Sequence, residues 1–236
     1  MSNTIDREYG EYLLQAIEDE EGISAMQLFN LWWQYAPQDV IDTYAKGLYK
    51  TKAHQDSYAQ QHFASAPNLE AFAKLPEDTL GYAYQKFIVD NNLQAQIAMD
   101  YHSFHDSIAE TGILDRMPDE IRYAIIRGYQ QHDYFHVITG FKPDQYGEIV
   151  IQAFSLAQLH FPYFAMWVSL ITARMTFMNP EVIDLSMDAL TEGWRFGKLS
   201  GNMQFDKLEE MADMPLVEVR KHYNIVPEGL AILNAD

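Results

Sequence analysis

The sequence predicts an all-α fold, one multi-helix bundle over residues 1–236, and three observations carry that expectation. Apolar residues recur at spacings of three and four along most of the chain, and no segment sustains the period-2 alternation of a half-buried strand. Pro, Gly, Ser and Asn punctuate these stretches at helix-length intervals. The residues are 48% hydrophobic in a chain of 236, enough for one full core, and no repeat or low-complexity tract divides it.

The elements follow in order. Ile5, Tyr9, Leu13 and Ile17 step by four and predict a first helix, ended by the acidic run 18–21 and Gly22. Ser24 caps a second helix rich in Leu28, Phe29, Trp32 and Trp33, which stops before Pro37, and residues 39–48 read as a third. Residues 50–67 turn polar around His54 and His62 and read as a loop or a weak helix. Asn68 caps a short helix through Leu75, Pro76 to Thr79 start another, and residues 93–108 are expected as one further helix.

The next helix carries Ile121, Ala124, Ile125, Tyr129, His132, Phe135, His136 and Thr139 on one inward stripe. Gly140 stands where a helix C-terminus wants left-handed geometry, Pro143 follows, and Asp144 is placed to cap a helix that begins with Glu148. Residues 149–173 contain no Asp, Glu, Lys or Arg and are long enough to span a bilayer. Gln152, Ser155, Gln158 and His160 interrupt them and Pro162 breaks them, so two buried apolar helices are expected instead of a membrane span. Asn179-Pro180 starts a helix through Arg195, ended by Gly197 or Gly201; Pro215 opens a last one over Leu216–His222, and Pro227 marks the tail.

A formal charge of −18 and a pI of 4.6 repel phosphate backbones and exclude nucleic acid as a partner class. The chain has no Cys, so a transition metal must be held by N and O donors. The opening MSNTIDREYGEYLL lacks the features of a signal peptide and is too acidic for a transit peptide, so a cytoplasmic protein is expected.

The chemistry gathers at His132, Asp133, His136 and Glu148. Histidines at i and i+4 lie about 40° apart on a helix, Asp133 falls within about 100° of His132, and the helical corner folds Glu148 back toward them. Two neutral imidazoles and two carboxylates balance a divalent cation. The blander alternative for each histidine is a core residue with a satisfied ring. A second set, His102, His105 and Asp106, also shares a helix face, and with His132-Asp133 it would suit an HD-type metal-dependent phosphohydrolase. In the apolar 149–178 region Phe154, Phe161, Phe164 and Trp167 are candidates for a lipid-binding groove, against the simpler reading of ordinary core.

The spacing His132-Asp133, two residues, His136, eleven residues, Glu148 resembles the signature of the ubiquinone-biosynthesis family called coenzyme Q biosynthesis protein 4. Leu75-Pro76 with Thr79-Leu80-Gly81 and Tyr84, His136-Val137 with Thr139-Gly140, Gly147-Glu148, Gly193-Trp194 with Gly197, and Pro215-Leu216 with Val219-Arg220 extend the resemblance over roughly residues 70–226. Residues 1–69 then form an N-terminal helical extension. The resemblance implies a homodimeric helical protein that holds a divalent metal, zinc by expectation with magnesium or iron also compatible. It would contact the inner face of the membrane peripherally and bind a polyprenyl lipid or prenylated quinone precursor. The family's implied activity is oxidative decarboxylation of the ring, with His132, His136 and Glu148 as ligands and Asp133 either ligating or orienting a histidine. The alternative is a non-catalytic, isoprenoid-binding scaffold that organises other quinone-biosynthesis proteins.

Overall fold

In the computed structural model, which describes residues 4–18, 23–49 and 51–227, helices alternate with short capped turns and the described residues form no strand. The N-terminal half holds α1 (Arg7–Glu18), α2 (Ala25–Tyr35), α3 (Gln38–Leu48), α4 (Lys52–Gln60), α5 (Leu69–Phe72), α6 (Leu80–Asp90), α7 (Gln94–Ile97) and α8 (Tyr101–Ala109). The C-terminal half holds α9 (Asp119–Thr139), α10 (Gln145–Leu159), α11 (Pro162–Phe177), α12 (Ile183–Leu199) and α13 (Leu216–His222), with short 3-10 turns at Pro180–Val182 and Leu208–Met211. The expected all-α class is therefore the observed one.

Side-chain caps set many of the starts. Ser24 and Gln27 form a reciprocal capping box on α2, and Thr51, Asn68, Thr79 and Asp144 each accept a backbone N–H from the first turn of the helix that follows. The polar segment 50–67 does contain a helix, α4, because Thr51 caps it and Gln61 closes it in the left-handed region at φ 45°. The helix expected over 93–108 is instead two, since Asp100 accepts from His102 N and Ser103 N and so starts a new helix where the apolar spacing alone runs on. Asn179-Pro180 gives only a 3-10 turn before α12 begins, and α12 continues past Gly197 to Leu199. Of the residues expected to end the first helix, 19–22 lie outside the described residues.

Helix α9 is the shared wall of two cores. Its first half gives Ile121, Ala124 and Ile125 to a cluster with Phe29, Trp33 and Phe161, and its second half gives Tyr134, Phe135 and Ile138 to one with Leu80, Tyr84, Phe154 and Tyr223. A third cluster joins Tyr9, Ala16, Leu28 and Leu170 across α1, α2 and α11. Each fully buried large apolar side chain contributes about 1.5–3 kcal/mol, so α9 is held from both ends. The two apolar helices of 149–173 separate where expected: His160 turns left-handed at φ 54° and Pro162 takes the first position of α11.

Helices α10 and α12 approach backbone to backbone. A Cβ on Gly193 would collide with the Val150 carbonyl oxygen, and one on Gly197 would lie 2.5 Å from that of Phe154. Two glycines one turn apart thus let α12 lie directly on α10 and fix the helix that carries Glu148. No helix among the described residues is long and apolar enough to cross a membrane.

Candidate metal centre

The corner between α9 and α10 is built by short-range chemistry. Gly140 ends α9 at φ 90°, a left-handed conformation that spares it the Cβ penalty, and Asp144 Oδ1 accepts from Gly147 N at 2.8 Å to start α10. A Cβ at Gly147 would collide with the Lys142 carbonyl oxygen, so the turn closes this tightly only around glycine. Glu148 therefore enters the first turn of α10, where a carboxylate also suits the helix dipole, and faces α9.

Opposite it stand His132 and His136, one turn apart, with ring centroids separated by 4.8 Å. His132 Nε2 lies 3.2 Å from Glu148 Oε2, and His136 Nε2 lies 3.3 Å from Glu148 Oε1. One donor atom from each of the three residues falls within 4.8 Å of the others, so the group can hold a metal ion. The His136 side chain is fully buried (0% exposed), whereas Glu148 keeps 41% of its side-chain surface open, which leaves the group accessible from the Glu148 side.

Both rings are fixed from behind. His136 Nδ1 lies 3.1 Å from the Phe141 carbonyl oxygen, an acceptor only, so Nδ1 carries the proton; the ring stacks on Phe87 at 5.6 Å. His132 Nδ1 lies 3.1 Å from Asp133 Oδ1 and donates to that carboxylate. In the neutral tautomer each Nε2 then presents a lone pair to the Glu148 carboxylate, and His136 Nε2 is buried with no hydrogen-bond partner. A lone pair and an anion at this distance call for a proton or a metal ion between them. Three donors of types N, N and O, a carboxylate and a carbonyl orienting the imidazoles, and a net charge of minus two from Glu148 and Asp133 fit a divalent metal.

Protons show the same field. Burial opposes a charged His132, but the hydrogen bonds and charges of Asp133 and Glu148 outweigh it and raise the imidazole to about 10. Burial likewise raises Glu148, and the two histidines outweigh it, holding that carboxyl well below the usual range.

The four residues singled out by spacing come together with Asp133 in an orienting position, bonded to His132 Nδ1, while the three-donor group is His132, His136 and Glu148. The second set does not join them. His105 is buried (1% exposed) with neither ring nitrogen partnered, His102 packs edge-on against Phe63 at 4.1 Å, and Asp106 pairs with Arg122. The arrangement required for the phosphohydrolase reading is therefore missing among the described residues.

A cavity of about 440 Å³ opens beside Glu148, with Ile149, Trp167, Leu170, Ile171 and Met175 on its apolar side and Gln145, Gln152, Arg174 and Asn179 among its polar lining. Of the groove candidates, Trp167 lines it, and Phe164 is partly buried against the core. Phe154 and Phe161 are fully buried in the two main cores and line neither this cavity nor another described one, because an apolar helix does not announce which face is packed. Phe87 and the Phe141 carbonyl escape sequence reasoning: the first reaches His136 from a distant helix, and the second is a backbone atom whose only signal is the Gly140 turn.

Comparison with known proteins places these features in a family context. The family described as coenzyme Q (ubiquinone) biosynthesis protein Coq4 matches residues 60–228. The chain is 33% identical over 95 residues to ubiquinone biosynthesis protein COQ4 homolog 2, mitochondrial, of Paramecium tetraurelia, covering 40% of this chain and 39% of that protein. It is 26% identical over 133 residues to the mitochondrial COQ4 homolog of Danio rerio, covering 56% of this chain and 45% of that one. The alignments thus span less than half the length of these curated relatives. A crystal structure of a protein from Nostoc punctiforme PCC 73102, described as a ubiquinone biosynthesis protein, superimposes with a TM-score of 0.70 at 22% identity, over 93% of this chain and 98% of that one. At that identity the likeness speaks for the fold.

Proposed function

We propose that this chain, which belongs to the coenzyme Q (ubiquinone) biosynthesis protein Coq4 family, binds a divalent metal through His132, His136 and Glu148 and holds a prenylated ring precursor beside it for oxidative decarboxylation. The supporting observation is that Glu148 is both a member of the three-donor group and part of the wall of the cavity. A ring carboxylate brought to Glu148 would leave its isoprenoid tail among Trp167, Leu170, Ile171 and Met175, which bury apolar surface at about 25 cal/mol per Å². Arg174, whose guanidinium donates to the Ala16 carbonyl, also lines this wall.

When bound, the metal would supply a Lewis acid for the ring oxygens, and two histidines with one carboxylate are also a donor set of iron centres that work with dioxygen. The protein's own part is orientation. Asp133 and the Phe141 carbonyl keep both Nε2 lone pairs aimed at one point, and the net change is a two-electron oxidation in which the carboxyl group leaves as carbon dioxide, water supplies the hydroxyl that takes its place, and dioxygen from solution is reduced to hydrogen peroxide. Incubating metal-loaded protein with a prenylated 4-hydroxybenzoate under oxygen tests this reading, with carbon dioxide and the ring-hydroxylated product expected. Elemental analysis of the active form separates zinc from magnesium and iron.

A second reading is a scaffold that presents a bound lipid to other quinone-biosynthesis proteins, to a second copy or to the membrane face. It draws support from the exposed apolar side chains Ile183, Met187 and Trp194, which share one face of α12. Metal-loaded protein that turns over nothing, yet whose removal disables a partner enzyme in a reconstituted mixture, would favour it.

A further inference from the structure

Gln145, Glu148, Ile149 and Gln152 line the cavity beside the metal centre at spacings that put all four on one face of α10. Gln152 thus stands one helical turn from Glu148, with about 5–6 Å between the two Cβ atoms. Of the buried polar residues in this lining, Gln152 at 7% exposed and Ser186 at 3%, only Gln152 has an enclosed polar atom without a partner, its Oε1. Its Nε2 donates to none of the described residues, and that atom, unlike Oε1, is not enclosed, so the surface the amide keeps is turned to the cavity.

The other polar groups of the wall are accounted for. Ser24 Oγ accepts from Gln27 N, the Arg174 guanidinium donates to the Ala16 carbonyl, and Gln145 and Asn179 are exposed to water. An unpaired amide among Ile149 and Leu170 does nothing for the fold, where a Leu or Met of similar size would bury without loss. What completes it must come from the contents of the cavity. A phenolic hydroxyl both donates and accepts, so it satisfies either end of an amide. In a 4-hydroxybenzoate the carboxyl group and the hydroxyl stand at opposite ends of one benzene ring, a span that matches the single helical turn from Glu148 to Gln152.

We propose that Gln152 is a specificity-determining residue that hydrogen-bonds the ring hydroxyl para to the substrate's carboxyl group; this rests on the binding of a ring acid at the metal centre proposed above. Zinc has no redox chemistry, so the full-length, zinc-loaded protein binds such an acid without consuming it. Calorimetric titration at pH 7 with 3-geranyl-4-hydroxybenzoate, and with 3-geranylbenzoate, which lacks only the hydroxyl, should show the first bound about 10-fold or more tighter. In Gln152→Met, which keeps the length of the side chain and removes both polar ends, the preference should fall to about 2-fold or less, through weaker binding of the hydroxylated acid alone. The ligand-free variant should melt no lower than wild type, because Oε1 has no partner to lose. Equal wild-type affinity for the two acids, a preference that survives in Gln152→Met, or a lowered melting temperature would overturn the role of Gln152 while leaving a ring acid at the metal. Wild-type protein that binds neither acid would overturn both.

Discussion

His136 Nε2 lies 3.3 Å from Glu148 Oε1, and with Nδ1 committed to the Phe141 carbonyl both atoms are electron-pair donors. Such a pair needs a proton or a metal ion between its atoms, and the three-donor group is placed to hold the second. The protein purified without chelator is therefore expected to carry about one divalent ion per chain by elemental analysis. His136→Ala should remove it, and stripping wild-type protein should lower its melting temperature, since ligand at 100-fold over its dissociation constant stabilises by about 2.7 kcal/mol. Unchanged metal content in His136→Ala would make the assignment wrong.

Gly193 tests how Glu148 is held. Its missing Cβ lets the Val150 carbonyl touch α12, so Gly193→Ala must push α12 away from α10. The expected loss is about 1–3 kcal/mol in urea unfolding, as for overpacked cores, with the slope of the transition unchanged. A stability within about 0.5 kcal/mol of wild type would mean that the two helices separate freely.

His105 gives the fold a response to acid. Burial first, and Arg122 second, lower its imidazole from 6.5 to about 4, and neither ring nitrogen has a partner. The unfolded chain then binds a proton that the folded chain refuses, so stability is complete above pH 6.5 and falls as pH drops toward 4. A shift of this size corresponds to at most roughly 3 kcal/mol. His105→Phe should flatten the dependence between those limits while changing stability at pH 7 by less than about 1.5 kcal/mol. An identical slope in wild type and variant would assign the acid response to other groups.

The sequence makes the metal group legible because its geometry is local. His132 and His136 need only one helical turn, and the Gly140, Asp144 and Gly147 signals fix the corner that returns Glu148. Its supports are less visible: Phe87 stacks on His136 from α6, and Tyr84 meets Tyr134 from the same helix, contacts that no spacing encodes. The single helix expected over residues 93–108 divides in two for a related reason. Apolar spacing continues across the break, and the deciding feature is the side chain of Asp100 capping α8. In α10 nearly every face is buried, so Phe154 could not be assigned to core or cavity by pattern.

Glu148→Gln separates metal chemistry from fold. The amide has the shape of the carboxylate, but it carries no charge and its NH₂ can donate to the His136 Nε2 lone pair that now lacks a partner. The metal-free variant should keep its helix content by circular dichroism but be less stable than the metal-free wild type near neutral pH, because the charge that raises His132 and is held ionised by the histidines is lost. Metal affinity should fall by about 100-fold or more, since an anionic ligand has been lost. Three measurements on one preparation then divide the possibilities. Retained metal would place the ion elsewhere than Glu148. Lost metal with undiminished turnover would make the centre structural. Lost metal and lost turnover together, with the fold intact, are expected if the carboxylate that borders the cavity also holds the ion that works on its contents.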